Sequence, residues 1–290
     1  MRLLGNPLDR LLRKAKKKSE KNFLFLWNRG LGDIPLGLYA LGVRVREFVL
    51  DAKITYLTRP DLADCFQMLP DVEVAIAPSM RRGESKPIEE WAREAGISID
   101  DYDHVLEKID PTRWLSWQLG KLVPRLFWNP KLDALSKKFS VKEGAVGVHV
   151  QSETKQFYGY TKDWPEEYWQ ELFARFPEKQ FVLFGMSKSP IYQGKNIVDL
   201  RGETTLHEML SLIKNCCSIV IAPDSGILST LYYINEPFSL RLISLWADPR
   251  QGVLRQNVHP PNPYLDHIPL IGKDEIVANI NVDDLASYLT

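Results

Sequence analysis

Residues 23–41 read FLFLWNRGLGDIPLGLYAL, and their pattern indicates the fold class. Its first five residues are apolar or aromatic, which predicts a buried strand. A turn with two glycines follows at 28–35, and the apolar pattern over 39–49 has the spacing of a helix. A strand that leads through a glycine turn into a helix is the first half of a βαβ unit, so we expect a parallel sheet.

The same alternation continues along the chain and predicts two domains. Further strands are predicted at 53–59, 72–78, 105–109, 145–150, 180–185, 197–200, 218–222 and 241–246, and further helices at 88–95, 165–176, 206–216 and 282–289. The stretch 111–140 breaks the rhythm, and we favour packing for its three tryptophans over a contact surface. The expected domains are a leader (1–22), a first domain (23–143) and a second (144–290). The fold class is α/β, with two doubly wound Rossmann-like halves facing a central cleft that binds ligands at strand carboxyl ends.

The composition excludes several classes of protein. The 290 residues are 44% hydrophobic and 26% charged, which is ordinary for globular proteins and unlike disordered, collagen-like or coiled-coil chains. Lys and Arg number 37, as do Asp and Glu, so the net charge is +0 and nucleic acid is not an expected partner. Three cysteines, no apolar run of bilayer-spanning length and no signal-peptide pattern predict a cytoplasmic protein.

The leader has two open interpretations. Between Arg10 and Lys21 it carries seven basic residues against Glu20 alone, while Leu4, Leu8, Leu11, Leu12 and Ala15 recur at helical spacing. Such a helix could lie on an anionic membrane surface as a peripheral contact. Equally, it could be a solvated leader whose leucines pack on the body of the protein.

The turn after the first strand is a candidate catalytic site. Arg29, Gly30 and Gly32 could bring the backbone close to an anionic ligand such as an acceptor phosphate. Pro35 stands where a dinucleotide fingerprint needs its third small residue, which argues against NAD. Asp33 is a carboxylate at the point where a ligand should sit, and its alternative role is to cap the following helix.

A second set of candidates lies in the second half. Asp224, Ser225 and Gly226 follow a predicted strand and precede a helix, where backbone amides could hold a diphosphate. Ser225 is not in G-x-S-x-G, so a hydrolase nucleophile is not expected. The loop 151–163 contains Lys162 shortly before Trp164-Pro165, a lysine suited to a phosphate unless it is simply solvated.

No metal site or P-loop is expected. Asp101-Tyr102-Asp103 matches the short D-x-D metal motif of sugar-transfer enzymes, but we interpret it as a polar turn before a strand. The histidines lack metal-ligand spacing, the cysteines form no C-x-x-C, and G-x-x-x-x-G-K-[ST] is missing.

Four stretches together resemble glycosyltransferase family 9, the bacterial heptosyltransferases of lipopolysaccharide core synthesis. They are the opening FLFLWNRGLGDIPLGLYAL, then TKDWPEEYWQELFARF, then Leu200-Arg201-Gly202 with 204–213, and finally IAPDSGILSTLYYI. They span nearly the whole chain in the order expected for the family.

The resemblance implies a GT-B fold and an inverting, metal-independent transfer of a heptose-like sugar from a nucleotide-diphosphate donor, with an ADP-sugar favoured. The acceptor would be lipopolysaccharide or a lipid-linked glycan, and no cofactor is implied. Asp33 would be the general base, Lys162 would contact the donor diphosphate, and Asp224-Ser225-Gly226 would shape the phosphate and sugar site. Gln151 and Ser152 would supply further phosphate contacts.

Two positions depart from the family pattern. Ser229 stands where members usually carry a histidine, and Ser187 stands where an acidic residue often meets the donor ribose. The alternative functions are a non-catalytic sugar-nucleotide or glycan-binding protein, and a GT-B epimerase or hydrolase that consumes donor without acceptor.

Overall fold

The computed structural model describes residues 6–152 and 162–290. Contacts divide the chain into two compact units. Unit 1 comprises Met1–Phe127 with Gln256–His259, and unit 2 comprises Trp128–Arg255 with Pro260–Thr290. Each unit is built on a parallel sheet, as the strand–helix alternation predicts.

Unit 1 contains a four-stranded sheet in the order β3-β2-β1-β4. Its strands are β1 (Asn22–Trp27), β2 (Lys53–Thr58), β3 (Glu73–Ile76) and β4 (His104–Leu106). In the central strand, Phe25 is opposite Tyr56 on one side and Leu106 on the other. Strands β2 and β3 are added on one side of β1, and β4 is added on the other side. This change of side is a topological switch point, where α/β sheets bind ligands.

The helices of unit 1 flank this sheet. They are α1 (Pro7–Lys18), α2 (Tyr39–Phe48), α3 (Pro60–Phe66), α4 (Ile88–Glu94) and α5 (Pro111–Trp114). Proline occupies the first turn of α1, α3 and α5, where its missing N–H leaves no hydrogen bond unmade. A π-helical turn, Ile34–Leu38, leads into α2.

The leader forms α1 and packs on the body of unit 1. Leu8, Leu12 and Ala15 are buried, and Arg44 of α2 donates to both carboxylate oxygens of Asp9 at 2.9 and 2.8 Å. The apolar stripe of this helix is therefore used inside the protein, while its basic side chains lie outside.

Unit 2 contains a six-stranded sheet in the order β10-β9-β8-β5-β6-β7. Its strands are β5 (Ala145–His149), β6 (Phe181–Phe184), β7 (Ile197–Asp199), β8 (Cys217–Pro223), β9 (Leu240–Trp246) and β10 (Leu265–Ile271). Beginning at β7, the order 7-6-5-8-9-10 is that of a dinucleotide-binding Rossmann sheet, with its switch point between β5 and β8.

The helices of unit 2 are α6 (Glu166–Arg175), α7 (Leu206–Cys216), α8 (Gly226–Tyr232), α9 (Gly252–Gln256, whose last residue belongs to unit 1) and α10 (Val282–Ala286). A capping box of Thr205 and Glu208 starts α7. Trp164, Trp169 and Phe173 pack with α10 and the strands in the main core. None of the described helices is long and apolar enough to cross a bilayer.

Residues 128–143, which the sequence suggested belonged to the first domain, lie in unit 2 by contacts. They include the 3-10 segment Pro130–Lys138, whose Ser136 N–H donates to Ser211 Oγ of α7 at 3.0 Å. Trp128 is buried, and Lys214 of α7 lies 5.9 Å from its ring.

The chain returns to unit 1 late in the sequence. Gly120 N–H donates to the Gln256 carbonyl at 2.8 Å, and the buried Gln256 side chain donates to Gln118 and to the Leu122 carbonyl, both at 3.2 Å. Four residues from the second half of the sequence thus complete the packing of unit 1.

Strand β10 was not predicted from the sequence. It contains Pro269 and Asp266, residues that are disfavoured in strands. Among the described strands, β10 lies at the edge of the sheet and pairs only with β9, so a proline is tolerated there.

Candidate functional site

The turn after β1 holds Asp33 at the carboxyl edge of the sheet of unit 1. Trp27 Nε1 donates to the Gly30 carbonyl at 3.2 Å, which fixes the turn. A Cβ on Gly30 would lie 2.9 Å from Asp33 Oδ2, so a larger residue at this position would displace the carboxylate. Asp33 is half-buried and makes no capping hydrogen bond to the helix that follows it. Capping is therefore not the role of its side chain.

Neighbouring loops bring more basic side chains to the same edge. Buried Arg59, directly after β2, donates to the Arg29 carbonyl at 3.1 Å. Asn28 Nδ2 donates to the Glu84 carbonyl at 2.8 Å and so ties the loop after β3 to the Asp33 turn. That loop carries Arg81, which is exposed, and Arg82, which is half-buried.

Arg59, Arg81 and Arg82 were not among the site residues predicted from the sequence. The available signal was their position, since Arg59 directly follows one predicted strand and Arg81 closely follows another. In the parallel order β3-β2-β1 those strand ends become neighbours, which the sequence pattern alone did not establish.

In unit 2, the end of β5 presents polar atoms with unused hydrogen-bonding capacity. Burial lowers the pKa of His149 to about 4, and its Nδ1 has no hydrogen-bond partner among the described residues. Ser152 N–H donates to Asp163 Oδ1 at 2.6 Å, and Ser152 Oγ is buried without a partner among those same residues. Gln151 is half-buried beside it. Most of the predicted phosphate loop, residues 153–161, lies outside the described residues.

Lys162 and Asp224 are joined in an ion pair. Asp224 directly follows β8, the strand next to β5, and its side chain is buried. Burial raises the pKa of this carboxyl, although Lys162 acts in the opposite direction. Lys162 Nζ also donates to Gln251 Oε1 at 2.9 Å, which brings in the loop after β9.

That loop packs tightly on Asp224. Gly252 has a φ of 50°, and a Cβ on it would lie 2.6 Å from Asp224 Oδ1 and 2.8 Å from the Trp246 ring. Asp248 accepts from Arg250 Nε at 2.8 Å, which lowers the pKa of Asp248 to about 2. Gln251 and Gly252 were not predicted as site residues, because nothing local in the sequence marks their approach to Asp224.

The contacts that Ser225 makes hold the start of the following helix. Ser225 Oγ accepts from the Leu228 N–H at 3.2 Å and caps α8, which begins at Gly226. Ser229, which stands in place of the usual family histidine, is buried, and its hydroxyl donates to the Ser225 carbonyl at 3.2 Å.

The loop after β6, which contains the exposed Ser187, is held by Arg201. This fully buried guanidinium donates to both carboxylate oxygens of Asp199 at 2.8 and 2.7 Å and to the Lys188 carbonyl at 3.0 Å. Arg201 also lies 5.2 Å from the Tyr192 ring. The residue was part of the predicted family stretch but not a predicted site residue.

The D-x-D stretch lies at the opposite, amino-terminal edge of the first sheet. Asp103 accepts the Lys21 and Asn22 N–H groups at 2.7 and 2.8 Å, which lowers the pKa of its carboxyl. His104 lies 2.8 Å from Glu20. Within 6–152 and 162–290, no three His, Cys, Asp or Glu side chains converge to hold a metal ion.

Comparison with known proteins gives a family match over part of the chain. Residues 128–230 match the family model of glycosyltransferase family 9 (heptosyltransferase). This range contains Gln151, Ser152, Lys162 and the Asp224-Ser225-Gly226 turn. No curated protein is significantly similar to the chain in sequence.

Solved structures share the fold over nearly the whole chain. ADP-heptose lps heptosyltransferase II of E. coli is 17% identical, with a TM-score of 0.61 over 92% of this chain and 97% of that one. A family 9 glycosyl transferase from Veillonella parvula DSM 2008 is 13% identical, with a TM-score of 0.57 over 92% and 95%. E. coli heptosyltransferase WaaC with ADP-2-deoxy-2-fluoro heptose is 13% identical, with a TM-score of 0.55 over 92% and 98%.

The family match over residues 128–230 supports a glycosyltransferase, and the similar solved structures share the fold of the two parallel α/β units. The resemblance to glycosyltransferase family 9 that the sequence motifs indicated is confirmed, and so is the GT-B-like fold class.

Proposed function

We propose that the protein transfers a heptose-like sugar, with inversion, from a nucleotide-diphosphate donor to a lipopolysaccharide or other lipid-linked glycan in the bacterial cytoplasm. An ADP-sugar is the favoured donor, and neither a metal nor a further cofactor takes part. The single observation that carries this proposal is the pairing of Lys162 with Asp224 inside the region matched to family 9.

The position of that pair supports a donor site. Lys162 follows the loop after β5, and Asp224 follows β8, so both lie where the Rossmann-like sheet changes direction. A diphosphate carries more negative charge than one carboxylate, and it would compete with Asp224 for the ammonium group of Lys162. Gln151, Ser152 and the amides of 224–226 would supply further phosphate contacts. The choice of an ADP-sugar draws on E. coli WaaC, whose similar fold was solved with ADP-2-deoxy-2-fluoro heptose.

Unit 1 supports an anionic acceptor. Arg29, Arg81 and Arg82 lie on the two loops that Asn28 joins, on the same sheet edge as Asp33. Gly30 and Gly32 let the backbone of the turn come close to a ligand. An acceptor that carries phosphates, as lipid-linked glycans do, would meet positive charge beside the carboxylate that is to take its proton.

The proposed reaction is a single displacement. The acceptor hydroxyl oxygen forms a bond to the anomeric carbon, Asp33 accepts the hydroxyl proton, and the bond from that carbon to the diphosphate oxygen breaks. A positioned general base contributes about 10²–10⁴-fold in rate. Lys162 offsets the negative charge that develops on the leaving diphosphate. Its ammonium group is already in place before the reaction begins.

Donor binding tests the proposal first. Thermal unfolding is measured with ADP-, UDP-, GDP- and CMP-sugars on the wild type, on Lys162→Ala and on Lys142→Ala, in which an exposed lysine of the same unit is removed. A donor at about 100 times its Kd adds roughly 2.7 kcal/mol of stability. We expect a selective shift with the ADP-sugar that Lys162→Ala loses and Lys142→Ala keeps.

A wild type that no nucleotide sugar stabilises would contradict the proposal. Donor consumption with and without a lipid-linked acceptor then separates the activities. Consumption that needs the acceptor supports transfer, while equal consumption without it would identify a hydrolase or epimerase, and donor binding without consumption would identify a binding protein.

A further inference from the structure

Helix α1 has two opposite faces, one buried and apolar and the other exposed and basic. Leu8, Leu12 and Ala15 form a stripe that is buried against unit 1. On the far side, four exposed basic residues follow the helical spacing i, i+3, i+4 and i+7: Arg10, Arg13, Lys14 and Lys17. Lys16 and Lys18 are exposed on the flanks.

The helix is fixed in this orientation. Asn6 caps it by accepting from Leu8 N–H at 3.0 Å, and its amide donates to the Trp114 carbonyl at 2.7 Å. Asp9, the one acidic residue of the helix, is bonded to Arg44 of α2. The basic face is therefore held outward by the buried stripe and by these contacts at the start of the helix.

The positive charge of this face is not neutralised locally. Among the described residues, Arg10, Arg13, Lys14, Lys16 and Lys17 have no ion pair, whereas Lys18 pairs with Glu20 at 3.2 Å. The chain as a whole has a net charge of +0, so this concentration is a local feature and not part of a generally basic surface. A helix of 12 residues is about 18 Å long, so the basic side chains are spread along an extended face.

We propose that the basic face of α1 docks unit 1 on an anionic lipid bilayer. The contact is electrostatic and does not insert apolar side chains, because the leucine stripe is already buried in the protein. The choice of a bilayer rests on the proposed function, in which the acceptor is anchored in lipid. Docking would hold the unit that contains Asp33 at the surface where that acceptor lies.

Vesicle co-sedimentation of the full chain tests this docking. The vesicles are phosphatidylcholine with 30% phosphatidylglycerol, or phosphatidylcholine alone, without acceptor or donor, at 50 to 300 mM NaCl. We expect binding to the anionic vesicles that weakens as salt rises. The triple variant Arg13→Gln, Lys14→Gln and Lys17→Gln should bind about 100-fold more weakly, since each basic side chain contributes roughly fivefold.

The matched control is Lys137→Gln, Lys142→Gln and Lys195→Gln, which removes the same charge from exposed positions of unit 2. It should bind within about threefold of the wild type. The docking would be overturned if the α1 variant bound like the wild type, or if the control variant lost as much affinity as the α1 variant. Equal binding to vesicles of phosphatidylcholine alone would also overturn it. So would tighter binding to a DNA duplex than to the anionic vesicles.

This experiment is independent of catalysis. The α1 variant should keep the donor-induced thermal shift of the wild type, because it changes exposed residues of the other unit. A protein that binds vesicles through α1 but responds to no nucleotide sugar would keep the docking inference and contradict the proposed function.

Discussion

The turn after β1 and the turn after β8 both carry an aspartate between a buried strand and a helix, and their environments differ. Asp33 is half-buried and makes no capping hydrogen bond, and Gly30 lies close to its carboxylate. Asp224 is buried, paired with Lys162 and covered by Gly252, and burial raises the pKa of its carboxyl. The first environment suits a base that must meet a substrate, and the second suits a charge held against another charge.

The largest expected effect concerns the first turn. Asp33→Asn should lower the transfer rate by about 10²–10⁴-fold, because the amide cannot accept the hydroxyl proton. Donor-induced stabilisation should be unchanged. Asp101→Asn, at an exposed residue of the D-x-D stretch, is the control and should transfer like the wild type. If Asp33→Asn kept the transfer rate of the wild type, Asp33 would not be the general base, and the contrast between the two turns would be wrong.

The next effect concerns the second turn. Lys162→Met should lower the free energy of unfolding by about 3 kcal/mol, because it leaves the Asp224 carboxylate buried without its counter-charge. The double variant Lys162→Met with Asp224→Asn should regain most of that loss. Urea unfolding with hydrogen exchange at β5 and β8 measures both, and equal losses in the single and double variants would mean that the pair does not couple.

Acidification should weaken unit 2 specifically. Burial lowers the pKa of His149, and that of His267, to about 4, so the unfolded chain takes up protons near pH 6.5 that the native protein does not. Stability is thus lost as the pH falls from about 6.5 towards 4, by roughly 1.5 kcal/mol for each histidine between pH 6.5 and 5. Hydrogen exchange at pH 7 and 5 should show β5 and β10 losing protection before β1 and β2. Uniform loss in both units would contradict this.

The smallest effect separates capping from catalysis. Ser225→Ala removes the cap of α8 and should cost about 1 kcal/mol of stability. Asp33→Asn removes no helix cap and should cost less stability than Ser225→Ala. Calorimetric unfolding measures both variants, and a comparable loss in Asp33→Asn would give that residue a structural role.

The sequence was sufficient wherever the signal was local. The apolar run at 23–27 and the pattern at 206–216 predicted β1 and α7 closely, because burial and helical spacing act over a few residues. Lys162 and Asp224 were both predicted as donor residues from the family motifs, and they do meet in the structure.

What the sequence could not supply depends on which strands become neighbours. Gln251 reaches Lys162 because β9 lies beside β8, and the loop carrying Arg81 reaches the Asp33 turn because β3, β2 and β1 are adjacent. The leader posed a different problem. Its pattern allowed the leucines to face either lipid or protein, and in the structure Leu8 and Leu12 are buried in the protein.

The return of Gln256–His259 to unit 1 has a consequence for how the protein is made. Domains tend to fold as they leave the ribosome, beginning with the N-terminal one. Here the hydrogen bonds from Gln256 to Gln118 and Leu122 cannot form until synthesis has reached residue 256, which is 129 residues after Phe127. The unit that is translated first is therefore finished late, and a fragment that stops at Phe127 lacks a part of its own packing.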